Sequence, residues 1–154
     1  MPWNDSRYMN SFVLLWNPTG RWIWPADHLA EAIETTSGGV PFVDQWSVGN
    51  RRSGISPGDR CYLVRSAVDR GIVGRGRFVD GDIWKDEPWE GSDASDAHYA
   101  FLTWDWLAPE RPLPIADLIA AVPQVKWNRL QASGTQVPSE ARRPLELLCD
   151  AWIG

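Results

Sequence analysis

Apolar residues come in short bursts along the chain, each ended by a turn signal, and the spacing inside each burst predicts its element. Ser11-Phe12-Val13-Leu14-Leu15-Trp16 is a β-rich run stopped by Asn17-Pro18-Thr19-Gly20, which predicts a first, central strand. From Pro25 to Glu34 the apolar positions fall at helical spacing, with Pro25 and Asp27 at the start and Gly38-Gly39 beyond the end, so a short helix is expected. Val40 to Ser47 reads as a second strand. The turn Ile55-Ser56-Pro57-Gly58-Asp59-Arg60 feeds a strand over Cys61 to Arg65, and Gly71 to Val79 follows as another. Gly71, Gly74 and Gly76 inside that run predict a bulge or a sharply curled sheet of the sort small barrels use. Asp80 to His98 is polar, acidic and interrupted by Pro88 and Gly91, and reads as a long loop; loops of that length in a compact domain are usually functional or disordered. Trp84 and Trp89 lie in it and imply that it packs onto something, because disordered segments are poor in aromatics. Tyr99 to Leu107 returns as a strand and Pro114 to Val122 as a short helix. Ser139 caps a last helix reaching about Trp152, with Pro144 marking an early kink. The sum is a single α+β unit over residues 11–154 behind a tail of residues 1–10, with no internal repeat.

A chain of 154 residues, 44% of them apolar, has room for one core and one binding cleft. No apolar run approaches the roughly 18 residues a membrane span needs, and Met1-Pro2-Trp3-Asn4-Asp5 has neither the basic start nor the apolar stretch of a signal peptide, so a cytoplasmic location is expected. Cys61 and Cys149 lie far apart in no metal-type spacing and are expected as buried thiols. A zinc site or a Ser/His/Asp triad would have to draw on His28 or His98, and neither a Gly-x-Ser-x-Gly elbow nor His-Glu-x-x-His is present. The Gly-x-x-Gly-x-Gly of residues 71–76 is not in dinucleotide-fingerprint order and lacks the Lys-Ser/Thr of a phosphate loop, so no nucleotide cofactor and no metal is expected. Asp86, Glu87 and Glu90 read as a charged surface, with nothing nearby to raise a carboxyl pKa for acid/base work. No catalytic residue stands out.

Tryptophan changes the picture, because 11 of the 154 residues are Trp. A domain this small cannot fully bury that many large side chains whose N–H wants a partner, so several should be partly exposed or line a pocket, although any single one can be core. The net charge of −5 argues against a nucleic-acid partner, but the distribution does not. Arg51, Arg52, Arg60, Arg65, Arg70, Arg75 and Arg77 face only Asp59 and Asp69 in their stretch, whereas the acids of residues 80–96 face Lys85 alone. Lys85 and Lys126 are the only lysines among 15 basic residues, and arginine binds phosphate bidentately and stacks on bases as lysine does not.

Several segments in order then resemble a known family. Phe12-Val13-Leu14-Leu15-Trp16-Asn17-Pro18, Gln45-Trp46-Ser47-Val48-Gly49, Ile55-Ser56-Pro57-Gly58-Asp59-Arg60 and Arg70-Gly71-Ile72-Val73-Gly74-Arg75-Gly76 look like the EVE domain, a PUA-like relative of YTH and ASCH domains. Phe101 to Leu107 and Trp127 to Pro138 are similar to the closing segments of EVE modules fused to HNH nucleases in modification-dependent restriction. The resemblance implies a PUA-like curled β-sheet, a partly open barrel flanked by helices, with an aromatic pocket for one modified base. The implied ligand is DNA carrying 5-methylcytosine or 5-hydroxymethylcytosine, its base flipped into the pocket; the chain lacks the His-Asn-His residues of a nuclease.

The same resemblance implies a site. Trp46 matches the position where YTH-like domains place a pocket tryptophan, and Ser47 beside it can meet the base edge. Asn17 matches a position of polar base contacts, and its amide offers both donor and acceptor. Trp84 or Trp89 is expected as the second wall, and Gln131 and Ser133 as closing residues. Arg51 and Arg52 are expected to hold flanking phosphates, with Arg75 and Arg77 in the same role, and Arg21, Trp22 or Trp24 to wedge the vacated stack. The acidic stretch 80–96 is a candidate surface for a protein partner. Two alternatives stay open: an RNA reader of a methylated nucleotide, and an ASCH-like amidohydrolase on a modified nucleoside, for which Lys85 and Lys126 are poorly placed.

Overall fold

In the computed structural model, residues 9–20, 23–85 and 98–154 are described. The first apolar run forms β1 (Ser11–Trp16), and α1 (Ala26–Ser37) follows the turn. The chain continues through β2 (Phe42–Gly49), β3 (Arg60–Arg65), β4 (Gly71–Phe78), β5 (Trp84–Lys85) and β6 (His98–Leu107). It ends with β7 (Leu113–Pro114), α2 (Ile115–Ala121), a single 3-10 turn at Trp127–Arg129, β8 (Thr135–Gln136) and α3 (Ser139–Ile153). Among the described residues the strands make one sheet in the order β2-β6-β4-β3-β1-β8, with β5 on β6 and β7 on β4. β1 and β3 run parallel and the other pairs antiparallel.

The sheet curls where β4 crosses its neighbours, as its glycines predict. The register slips between Leu63 and Val64 on one side and between Arg75 and Gly76 on the other. A Cβ on Gly76 would stand 2.2 Å from the Thr103 carbonyl oxygen, so only glycine lets the two strands approach at that bulge. Curling gives the sheet two apolar faces. The inner face gathers Phe12, Leu14, Cys61, Leu63, Phe78, Leu102 and several tryptophans under α1, whose Ala32 and Thr36 are buried. The opposite face of β1, β3 and β4 packs Val13, Tyr62, Val64 and Ile72 under α2 and α3 through Leu118, Leu145 and Cys149. This is the α+β, partly open barrel with flanking helices that the sequence led us to expect.

Three expectations about elements change. The stretch read as one loop from residue 80 contains β5, and His98 already belongs to β6; residues 86–97 lie outside those described. Ser139 is the first residue of α3, not its cap: Pro138 holds the cap position, and no side chain caps that end. α1 likewise begins after Pro25 without a side-chain cap, so packing against the sheet rather than capping fixes both starts.

Candidate functional site

Curling brings the outer edge of β2 beside β1, and among the described residues no main-chain ladder joins the two. Side chains bridge the seam instead. Trp46 Nε1 donates to the Leu15 carbonyl at 3.1 Å, while the Ser133 hydroxyl accepts from Leu15 N at 3.1 Å and donates to the Ser47 carbonyl at 2.6 Å. One hydroxyl thus stands in for a missing strand partner on both sides. Below it, Gly134 N donates to the Val13 carbonyl, and Arg51 Nε donates to the Gly134 carbonyl at 2.8 Å. Gly49 and Gly134 sit at φ +66° and +88°, and a Cβ on Gly134 would lie 2.3 Å from the Val48 carbonyl oxygen. The seam closes at that level only because both residues are glycine.

Behind the seam, on the inner face, stand Trp16, Trp24, Trp46 and Trp104. Ring centroids lie 4.7 Å apart for Trp24–Trp46, 5.2 Å for Trp16–Trp24 and 5.9 Å for Trp46–Trp104, nearly all edge to face. Trp104 Nε1 donates to Asp44 Oδ2 at 3.0 Å, and the other oxygen of that carboxylate meets His28 Nε2 at 3.2 Å. Two of these buried indoles are therefore pinned by hydrogen bonds at fixed angles.

On the outer face, Ser47 lies opposite Tyr99 in the β2–β6 register, and Tyr99 opposite Trp84 in the β6–β5 register. Trp84 stacks on Tyr99 at 6.4 Å and leans over Phe101 at 4.6 Å. This second aromatic group sits in the open, with Phe101 43% exposed and Val43 beside it 64% exposed. A separate open cleft of about 440 Å³, lined by Ser37, Trp106, Glu110 and Arg111 among others, shares no residue with the seam.

No family model matches the chain, and no curated protein matches it. Solved structures do. The Mmi1 YTH domain in complex with RNA superposes with a TM-score of 0.58 at 18% identity, covering 96% of this chain and 81% of that one. This chain has the fold of a YTH domain. Two bacterial structures share it: Atu2648 from Agrobacterium tumefaciens (TM-score 0.56, 14% identity, 93% and 92% of the two chains) and Rpa0253 from Rhodopseudomonas palustris (0.55, 15%, 92% and 92%).

Within this YTH-like fold the expected site residues divide. Trp46 and Ser47 are neighbours on β2, so their side chains leave opposite faces: Trp46 is 4% exposed on the inner side, while the Ser47 hydroxyl, on the outer, accepts from Gly49 N at 3.1 Å and its carbonyl accepts from Ser133. Asn17 sits on the exposed turn after β1, its Oδ1 accepting from the amide and hydroxyl of Thr19, which commits its acceptor to the turn. Gln131 is exposed, just before the bend and turn of residues 132–134. Trp89, Arg21 and Trp22 lie outside the described residues. Trp24 is not an exposed wedge: it is 6% exposed and inserted among the seam indoles. Trp16 and Trp104 were missed because no spacing rule joins residues 16, 46 and 104; only the curl of the sheet does.

Three of the four expected phosphate ligands make contacts within the chain. Arg51 lies over the Phe12 ring at 4.8 Å, bonds the Gly134 and Ser53 carbonyls, and burial lowers its pKa. Arg77 bonds the Gly58 carbonyl, with burial again lowering its pKa and the Arg60 charge adding to the effect. Arg75 reaches Asp150 at 2.7 Å and Glu146 at 3.4 Å. Only Arg52 is exposed with no such partner. The clustering of arginine in sequence therefore feeds a buried ionic network under α3 as much as a surface.

That network centres on Glu146. Arg60 grips it with Nε at 3.0 Å and Nη2 at 2.6 Å, Tyr62 donates its hydroxyl to the same carboxylate, and Arg60 Nη1 also reaches Asp105 at 3.3 Å. Burial works to raise the Glu146 pKa, but the Arg60 hydrogen bonds and charge, with Tyr62 and Arg75, hold it below the ordinary carboxylate range. Burial and the neighbouring Glu146 drive the Tyr62 hydroxyl far above its usual pKa, so it stays a donor. This is a clamp between β3 and α3, on the face away from the seam indoles.

Proposed function

We propose that this chain is a nucleic-acid reader that takes one modified base into the β1–β2 seam, against Trp16, Trp46 and Trp104, and binds without catalysis of its own. The observation that carries the reading is the cluster of indoles behind a seam held by side chains rather than by a strand ladder. Extruding a base costs a few kcal/mol, and stacking returns about 1–3 kcal/mol per base–aromatic contact, so more than one wall is required and more than one is present. A methyl group adds only about 0.8 kcal/mol on burial, so selectivity rests on walls too rigid to close over the void an unmodified base leaves. The hydrogen bonds of Trp46 and Trp104 supply such rigidity.

The EVE-like segments favour modified cytosine in DNA as the ligand, 5-methylcytosine first. A methylated nucleotide of RNA is the second reading, favoured by the Mmi1 YTH domain having been solved with RNA. Arg52, beside the seam end of β2, holds a neighbouring phosphate in either case. The test is fluorescence anisotropy with matched pairs, a DNA duplex with and without 5-methylcytosine and an RNA strand with and without a methylated adenosine. One methylated partner should bind more tightly than its unmodified twin, and Trp46→Ala should weaken that binding roughly ten- to hundredfold, the worth of one stack. Equal binding within both pairs would refute the reading.

A further inference from the structure

Trp24 differs from its neighbours in the indole cluster. It comes from the irregular link between the turn after β1 and α1, not from a strand, and it is flanked by Ile23, 75% exposed, and by exposed Pro25. Only its ring enters the interior, where it lies 4.7 Å from Trp46, 5.2 Å from Trp16 and 6.3 Å from Trp104. Trp46 and Trp104 each spend their indole N–H on an acceptor, whereas Trp24 Nε1 is buried with none among the described residues. A buried donor left unpaired is unfavourable, and moving the ring to water would restore a partner. The group is thus held by packing alone, inside a cluster in which Trp46 and Trp104 are fixed by hydrogen bonds, and its bicyclic ring is about the size of a nucleobase.

We propose that Trp24 is a built-in plug: in the ligand-free chain it occupies the space a base takes on binding, and it swings out when the base enters. The inference rests on the seam reading of the preceding subsection and adds a regulatory element to it. A reader whose competent state is only partly populated binds more weakly than its contacts allow, by the fraction of molecules that are open. The plug would therefore suppress weak capture of unmodified bases and keep an apolar compartment covered when empty. It also accounts for the unpaired indole, which a permanent core position would be expected to satisfy.

The experiment compares the same methylated and unmethylated oligonucleotides on the wild-type chain, Trp24→Leu, Trp24→Phe and Trp46→Ala, with near-ultraviolet circular dichroism to verify folding. The two Trp24 variants keep an apolar side chain in the core, so folding of at least one is expected. The proposal predicts that Trp24→Leu tightens binding of the methylated oligonucleotide by about tenfold, with Trp24→Phe in between, while Trp46→Ala weakens it. Unchanged or weaker binding by folded Trp24 variants, together with loss in Trp46→Ala, overturns the plug and leaves the seam reading standing. No effect of any variant on binding, or no binding by any chain, overturns both.

Discussion

Glu146 shows how far a single side chain can be read from the structure and how little from the sequence. It receives Arg60 through two nitrogens and Tyr62 through its hydroxyl, partners more than eighty positions away along the chain. Breaking a buried pair by removing one charge leaves the other uncompensated, so Glu146→Gln should cost about 3 kcal/mol in urea unfolding. The sign of the pH effect follows from the lowered pKa. A carboxylate whose folded pKa lies below its unfolded value, about 4.3, contributes its full stability above that value and loses it as pH falls through the folded pKa. Acid unfolding of the wild type should therefore steepen below about pH 4.3, and the Gln variant should show a shallower decline there. Cys149, next along the same helix face, is a free thiol that burial pushes up to about 12, in keeping with the sequence expectation of a buried thiol. Trp46 was legible as a special residue because its flanking Ser47, Val48 and Gly49 resemble a known segment. The internal partners of Arg75 and Arg77 were not legible, because clustering in sequence says nothing of the acids that α3 brings to Arg75 or of the Gly58 carbonyl that Arg77 meets.

At the scale of elements, the sequence foretold what depends on local chemistry. β1, β3 and β4 appear close to their predicted bounds because each is a β-rich burst between turn signals, and the glycines of β4 mark its bulge. The short strands β5, β7 and β8 were not foreseen; two residues carry no periodicity, and only their long-range partners make them strands. The β1–β2 seam was invisible for the same reason, since it joins Leu15 to Ser133 across 118 positions. Removing that hydroxyl tests whether the seam is a real element boundary. Ser133→Ala leaves Leu15 N without its acceptor and Ser47 O without its donor, and should cost about 1–3 kcal/mol with faster hydrogen exchange at the Leu15 amide. Exchange at Leu15 unchanged from wild type would show that the seam does not depend on Ser133.

For the whole molecule, the two-sided charge distribution gives a more modest electrostatic account than the arginine count promised. With Arg51, Arg60, Arg75 and Arg77 engaged internally, the proposed nucleic-acid binding would draw on fewer of the chain's cations, exposed Arg52 first among them. The salt dependence should accordingly be shallow, and Arg52→Ala should reduce the log–log slope by about one, as loss of one phosphate contact does. Arg75→Ala should lower stability while leaving that slope unchanged. Fold class was recoverable from the sequence because most of the strands, turns and helices are set by local apolar spacing and turn residues, in the order the structure shows. The position of the site was recoverable only in part, because two aromatic groups, one inside the seam and one outside on Trp84, Tyr99 and Phe101, both drew on residues the sequence had marked. The measurement that decides between them is a fluorine NMR titration of the 5-fluorotryptophan-labelled chain with a methylated oligonucleotide, its resonances assigned by single Trp→Phe variants. The account predicts that the signals of Trp16, Trp46 and Trp104 shift together at saturation while that of Trp84 stays in place; movement of Trp84 alone, with the seam indoles silent, would contradict it.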